Sequence, residues 1–138
     1  MRIALFGTGN LATHFLKAFE RLETISCVQW IGRSEHPPRA NHTPYFNVFQ
    51  NDIEVDICIL AISDDHIAEV AQGFKTNALV VHTAAAQSMD VLAPHKRTGV
   101  FYPLQHFSTD QNLSWENIPL CLEANDNTDL DLLGKLAR

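Results

Sequence analysis

Apolar positions along this chain follow two rhythms. Short, nearly unbroken apolar runs alternate with stretches where apolar residues recur every three or four positions. The run RIALF (2–6) ends at glycines. Residues 11–22 follow, with Leu11, Phe15, Ala18, Phe19 and Leu22 at helical spacing. SCVQWI (26–31) is the next strand. SEHPPRANHTPY (34–45) carries three prolines and reads as a loop, with a short strand expected over 45–49. VDICILAI (55–62) is the clearest buried strand. Ser63, Asp64 and Asp65 after it suit a helix N-terminus. In the helix they open, Ile67, Val70, Ala71 and Phe74 stand at i, i+3, i+4 and i+7.

Further strands are expected at 78–82, 99–102 and 118–123. Between the first two, Ser88 caps a short helix in MDVLAPHK, stopped by Pro94. A last helix starts at Asn127 or Thr128, with Asp129 and Asp131 in its first turn and Lys135 and Arg138 near its end, as the helix dipole favours. Strands that are apolar throughout, alternating with helices, imply an α/β fold. Its sheet is doubly wound and mostly parallel, with helices on both faces. The final helical pattern runs to the last residue with no strand after it, so we expect a fragment, or something to follow it.

Charge and composition narrow the partners. The chain has 138 residues, enough for one domain, and a net charge of −6 with no block of Lys or Arg. Nucleic acid and anionic membrane are disfavoured. No apolar run approaches bilayer length, and the five-residue run at the N-terminus is too short for a signal-peptide core. The three cysteines, Cys27, Cys58 and Cys121, are widely spaced in apolar runs, so we expect buried, inert thiols in a reducing cytoplasm. Seven histidines are scattered with no metal-ligand spacing, and no metal is expected. His14 is read as a polar-face residue of the first helix. His82 and His106 fall at strand ends, where an imidazole can act as an acid, although a hydrogen-bonded structural role explains each more cheaply. Asp64 and Asp65 are read as caps rather than a catalytic pair. No catalytic residue is assigned.

Gly7-Thr8-Gly9-Asn10-Leu11-Ala12 matches G-x-G-x-x-G/A, between a strand and a helix. Gly7 permits the tight turn, Gly9 lets backbone approach a pyrophosphate, and Ala12 lets the helix pack close. Unpaired N–H groups at the helix start, around Thr8, Asn10 and Leu11, then face the anion. The residue that meets the adenosine ribose should lie about 20 positions on, at Gly32-Arg33-Ser34. An acid there would bind a free 2′-hydroxyl. Arg33, with Ser34 adding a hydroxyl, instead suits a 2′-phosphate, which points to NADP(H). Arg39 is a possible helper over the adenine. Ala61, Ile62 and Ser63 would line the ribose path, and His82, Thr83 and Ala84 would lie near the nicotinamide. Gln105 and His106 are substrate-side candidates. A glycine-rich first turn also occurs at S-adenosylmethionine sites, and a nucleotide-sensing module without catalysis is a second alternative.

The order GTGNLA, GRS, LAIS-DD, HTAAA and YPLQHFS resembles the pyrroline-5-carboxylate reductase superfamily. It is most similar to a subgroup of Rossmann-like NADP oxidoreductases whose strand ends read H-T/S-S-G-S and Y-P-L-Q-T-F-S. YPLQ-x-FS is the most specific element, and the resemblance covers almost the whole chain. It implies an NADP(H)-binding Rossmann domain over 1–138, from an oxidoreductase reducing a C=N or C=O group of a small metabolite. It also implies a nucleotide domain cut before its last strand and a C-terminal helical domain, absent here, that supplies a homodimer interface and much of the substrate pocket. Two positions depart from the pattern: Ala85 replaces a glycine and His106 a small polar residue.

Overall fold

The computed structural model describes residues 1–35, 43–46, 52–108 and 113–138, with the side chains of Cys27 and Val28 left out. Nine strands and three α-helices are present among these residues. In chain order they are β1 (Arg2–Phe6), α1 (Asn10–Phe19), β2 (Ser26–Ile31), β3 (Tyr45–Phe46), β4 (Asp52–Ile53), β5 (Ile57–Leu60), α2 (Ile67–Gln72), β6 (Lys75–Thr76), β7 (Leu79–His82), β8 (Thr98–Pro103), β9 (Leu120–Ala124) and α3 (Asn127–Leu136). Seven strands form one sheet in the order β3-β2-β1-β5-β7-β8-β9, while β4 and β6 pair separately. All neighbours in the large sheet are parallel except β8 and β9. This is a Rossmann-like α/β sheet whose order reverses between β1 and β5.

Alternation along the strands explains the layers. Ile3, Leu5, Ile57, Ile59, Leu79 and Val81 point to one face, where they pack with Phe15, Leu16 and Phe19 of α1 and Leu133 and Leu136 of α3. Ala4, Phe6, Cys58, Leu60 and Val80 point to the other, against Ile67 and Ala71 of α2, Phe74 and Leu92. Both faces of the central strands are therefore dry, which is why these strands read as unbroken apolar runs rather than alternating ones.

Several expectations need correction. Helix α1 stops at Phe19, not Leu22. Arg21 and Leu22 donate to the carbonyls of Ala18 and Phe19, tightening the last turn and leaving Leu22 exposed. The buried strand is only Ile57–Leu60; Asp56 before it turns its carboxylate to the Arg2 N–H at 2.7 Å. Asp64 and Asp65 sit in a short 3-10 turn, Asp64–His66, that leads into α2. Phe74 is buried beyond the end of α2 and stacks on Phe6, with ring centroids 4.8 Å apart. The segment after Ser88 is also a 3-10 turn, Met89–Leu92, with the Ser88 hydroxyl accepting from the Asp90 N–H. Helix α3 does start at Asn127, as expected, and Asp126 caps it, its carboxylate accepting from the Asp129 N–H at 2.8 Å. His14 is not a polar-face residue: it is buried. Cys58 is buried, and burial pushes its thiol up to about 12, whereas Cys121 is exposed on the alternating edge strand β9. Arg39, His36, His42 and the strand expected beyond Phe46 lie outside the described residues.

Candidate dinucleotide site

A cleft of about 790 Å³ opens at the carboxyl ends of β1, β2 and β5, where the strand order reverses. The turn after β1 forms its floor. Gly7 has φ +122°, and a Cβ there would overlap the Ala61 carbonyl oxygen, so this position needs glycine on both counts. Gly9 differs. Its backbone is extended (φ −78°, ψ −171°), a conformation open to any residue, and a Cβ there would meet nothing within 4 Å. Local structure does not require glycine at position 9, but a ligand approaching the backbone would. Gly9 is also the N-cap of α1, with no side-chain cap and no acidic residue in the first turn. The leading N–H groups of the helix lack intrahelical carbonyls, so this end favours an anion.

The end of β2 clamps that turn. Gly7 N–H donates to the Ile31 carbonyl at 2.8 Å, and the buried Trp30 indole N–H donates to the Gly7 carbonyl at 2.8 Å. Trp30 lies edge-on to Tyr45 of β3, its register partner, with centroids 4.9 Å apart. The Tyr45 hydroxyl donates to the Ser34 carbonyl at 2.7 Å. Burial pushes that phenol's pKa up, which keeps it a donor. Gly32 is enclosed: a Cβ there would overlap the Thr8 methyl and come within 2.6 Å of the Tyr45 hydroxyl. Arg33 and Ser34 are exposed and line the cleft. Among the described residues Arg97 and Asp129 form an ion pair and His66 lies 3.7 Å from Glu69; Arg33 is in neither pair.

The cleft brings together Gly7, Thr8, Gly9, Asn10, Leu11, Arg33, Ser34, Ala61, Ile62, Ser63 and Thr83. His82 and Ala84 do not line it; both are buried. The His82 Nδ1 accepts from the Ala84 N–H at 3.1 Å, so its proton is on Nε2, 3.2 Å from the Ser88 carbonyl. Burial lowers the His82 pKa, chiefly by desolvation, and the ring is neutral. Both ring nitrogens are engaged by backbone, as in a structural imidazole. Ala85 is accommodated without strain, because no non-glycine residue among those described has positive φ.

Gln105 and His106 are exposed and also lie outside the cleft. Their loop is nevertheless tied to helix α1. The Asn10 amide donates to the Phe107 carbonyl at 3.3 Å, and His14 Nε2 lies 2.7 Å from the Ser108 carbonyl. His14 also packs against the Phe107 ring at 5.1 Å. The only sequence signal for this was the i, i+4 spacing of Asn10 and His14.

Asp64, His66 and Glu69 also line the cleft; sequence reasoning placed Asp64 at this strand end but read it as a cap, and missed His66 and Glu69. Their position just past the end of β5 was the available clue. Carboxylates on that side suit hydroxyl donors and repel phosphates, which leaves the glycine turn and the Arg33 side for anions. Trp30 could have been found from its chemistry, since a buried indole N–H needs an acceptor. Among the described residues, no three His, Cys, Asp or Glu side chains come together as a metal site. No helix among them is long and apolar enough to cross a membrane.

An open parallel sheet with a glycine turn at its switch point defines the Rossmann-like class of nucleotide-binding folds. Solved structures share it closely. A structure described as a putative NADP oxidoreductase from Bacteroides fragilis is 32% identical, with a TM-score of 0.86 over 99% of this chain and 56% of that one. Pyrroline-5-carboxylate reductase from Streptococcus pyogenes is 17% identical, with a TM-score of 0.68 over 99% of this chain and 54% of its own. Dimeric ketopantoate reductase from Staphylococcus aureus is 15% identical, with a TM-score of 0.60 over 99% and 51%. At these identities the last two speak for the fold alone. Both groups named by the sequence resemblance thus stand among the structural neighbours. The chain spans about half the length of each of these proteins. No family model matches the sequence, and no curated protein matches it.

Proposed function

We propose that this chain is the NADP(H)-binding domain of an oxidoreductase that reduces a C=N or C=O group of a small metabolite. The observation that carries the reading is Gly9: a glycine that its own backbone does not require, in open space at an uncapped helix N-terminus in the cleft. Arg33 and Ser34 on the same cleft fit a 2′-phosphate in place of the ribose-binding acid. The acidic wall at Asp64 and Glu69 fits ribose hydroxyls. The likeness to an NADP oxidoreductase at 32% identity supports the same choice of cofactor. The bound nicotinamide would supply the hydride, while these residues bind and orient it. In this reading the substrate pocket and a homodimer contact are completed outside these residues, as the lengths of the structural neighbours suggest.

The test is a titration of the chain with NADPH and with NADH at fixed salt, repeated for Arg33→Ala. NADPH should bind more tightly. The substitution should weaken it roughly 10- to 100-fold, as expected for loss of charge-assisted hydrogen bonds to a phosphate, and leave NADH within about twofold. Equal losses for both nucleotides would remove Arg33 from the 2′-phosphate. Binding of S-adenosylmethionine and of neither nicotinamide would overturn the proposal.

A further inference from the structure

Resting on the cofactor reading above, we infer that Tyr45 is a positioning residue for NADP(H) discrimination, acting through the Arg33-Ser34 turn. Cofactor preference in this class of site is read at the end of the second strand. Here that end is an exposed turn, and Arg33 makes no ion pair among the described residues. A long cation on a free turn would lose much of its binding to ordering entropy. The turn is not free, however. Tyr45 stands on the neighbouring edge strand and donates its hydroxyl to the Ser34 carbonyl at 2.7 Å. Gly32 N–H donates to the Phe46 carbonyl at 3.0 Å, so the two residues of β3 grip the turn from its backbone. The missing side chain at Gly32 is what lets the Tyr45 hydroxyl and the Thr8 methyl come so close.

The same residue is anchored toward the phosphate turn. Its ring meets Trp30 edge-on, and Trp30 holds the Gly7 carbonyl. One physical chain therefore runs Gly7, Trp30, Tyr45, Ser34, from the anion turn of β1 to the discriminating turn of β2. Removing only the Tyr45 hydroxyl leaves the ring on Trp30 and frees the Ser34 carbonyl. The effect should fall on the ligand group that Arg33 and Ser34 meet, which NADPH has and NADH lacks.

The experiment is a four-variant cycle: the unsubstituted chain, Tyr45→Phe, Arg33→Ala and the double variant, each titrated with NADPH and NADH and each melted to confirm its fold. Tyr45→Phe should weaken NADPH about fivefold, the worth of one neutral hydrogen bond, and leave NADH within about twofold. In the Arg33→Ala background the same change should shift NADPH by less than it does in the unsubstituted chain, because only Ser34 of that turn then remains to meet the phosphate. A general packing role would weaken both nucleotides alike, or act equally in both backgrounds, and either result overturns the inference. An unchanged NADPH-to-NADH ratio in Tyr45→Phe, with the unsubstituted chain preferring NADPH, overturns the positioning role alone. If the unsubstituted chain binds neither nucleotide, the cofactor reading falls and takes this role with it.

Discussion

Arg97 and Asp129 should be unequal partners when removed. Their bridge joins α3 to the body of the sheet: Arg97 Nε and a terminal nitrogen reach the Asp129 carboxylate at 3.1 and 2.5 Å, and the other terminal nitrogen donates to the Asn77 carbonyl at 2.9 Å. Asp129 also holds the Arg97 guanidinium in its charged form, raising its pKa. The two side chains differ in exposure, 42% for Arg97 against 2% for Asp129. Asp129→Ala leaves a cation that water can reach, so the loss is that of a charge-assisted hydrogen bond discounted for solvation, about 2 kcal/mol. Arg97→Ala leaves a carboxylate out of water with its cation gone, a loss of about 3–5 kcal/mol. The N-terminus of α3, where Asp129 sits in the first turn, returns roughly 0.3–1 kcal/mol of that. Arg97→Ala should therefore be the worse variant by about 1–2 kcal/mol. Urea unfolding, with the double variant completing the cycle, measures this directly. The double variant should be no less stable than Arg97→Ala, because the orphaned carboxylate is gone. If Asp129→Ala proves as damaging as Arg97→Ala, burial of the carboxylate is not the controlling quantity and the reasoning is wrong.

Two further outcomes follow from the turn and from His82. Gly7→Ala meets both a positive φ and the Ala61 carbonyl, and should lose about 3 kcal/mol or more in chemical denaturation; Gly9→Ala should stay within about 1 kcal/mol of the unsubstituted chain yet weaken NADPH and NADH alike. His82 is lowered from its ordinary value by burial, so the unfolded chain takes up its proton first. Its contribution is complete above pH of about 6.5 and is lost as pH falls through the lowered folded value; His82→Gln should flatten stability against pH below about 6.5, and an unchanged slope would show that His82 does not titrate there.

What could be read from sequence was what local chemistry decides. The glycine turn, the strand before it and the helix after it follow from Gly7-Thr8-Gly9-Asn10-Leu11-Ala12, because backbone conformation and helix start depend on neighbours in sequence. The central strands were legible for a related reason: burial on both faces makes Ile57–Leu60 and residues 79–81 apolar throughout. Tertiary decisions were not legible. The pairing of Asp52–Ile53 with Lys75–Thr76 involves two residues on each side, too few to leave a periodic signal. Cys121 is exposed because β9 is an edge strand, and its neighbours alone did not reveal which side faces out. His14 is buried because the loop of Phe107 and Ser108 folds over it, a contact 94 residues away in sequence. The Tyr45 hydroxyl needed the parallel pairing of β2 with β3 before it could be placed at all.

The sheet also divides the molecule's packing in a way that bears on how it can vary. Among the described residues, no buried side chain belongs to both apolar layers: Phe15 and Leu133 lie on one side, Ile67 and Leu92 on the other. Between the two layers run strand backbones held in a hydrogen-bonded register. Helix α1, which follows the glycine turn, draws its position from the first layer, and the acidic wall at Asp64 and Glu69 draws its position from the second. The two walls of the cleft thus rest on separate foundations. Drift in the side chains beneath one wall can reshape that wall while the other keeps its shape, without the whole cleft being rebuilt.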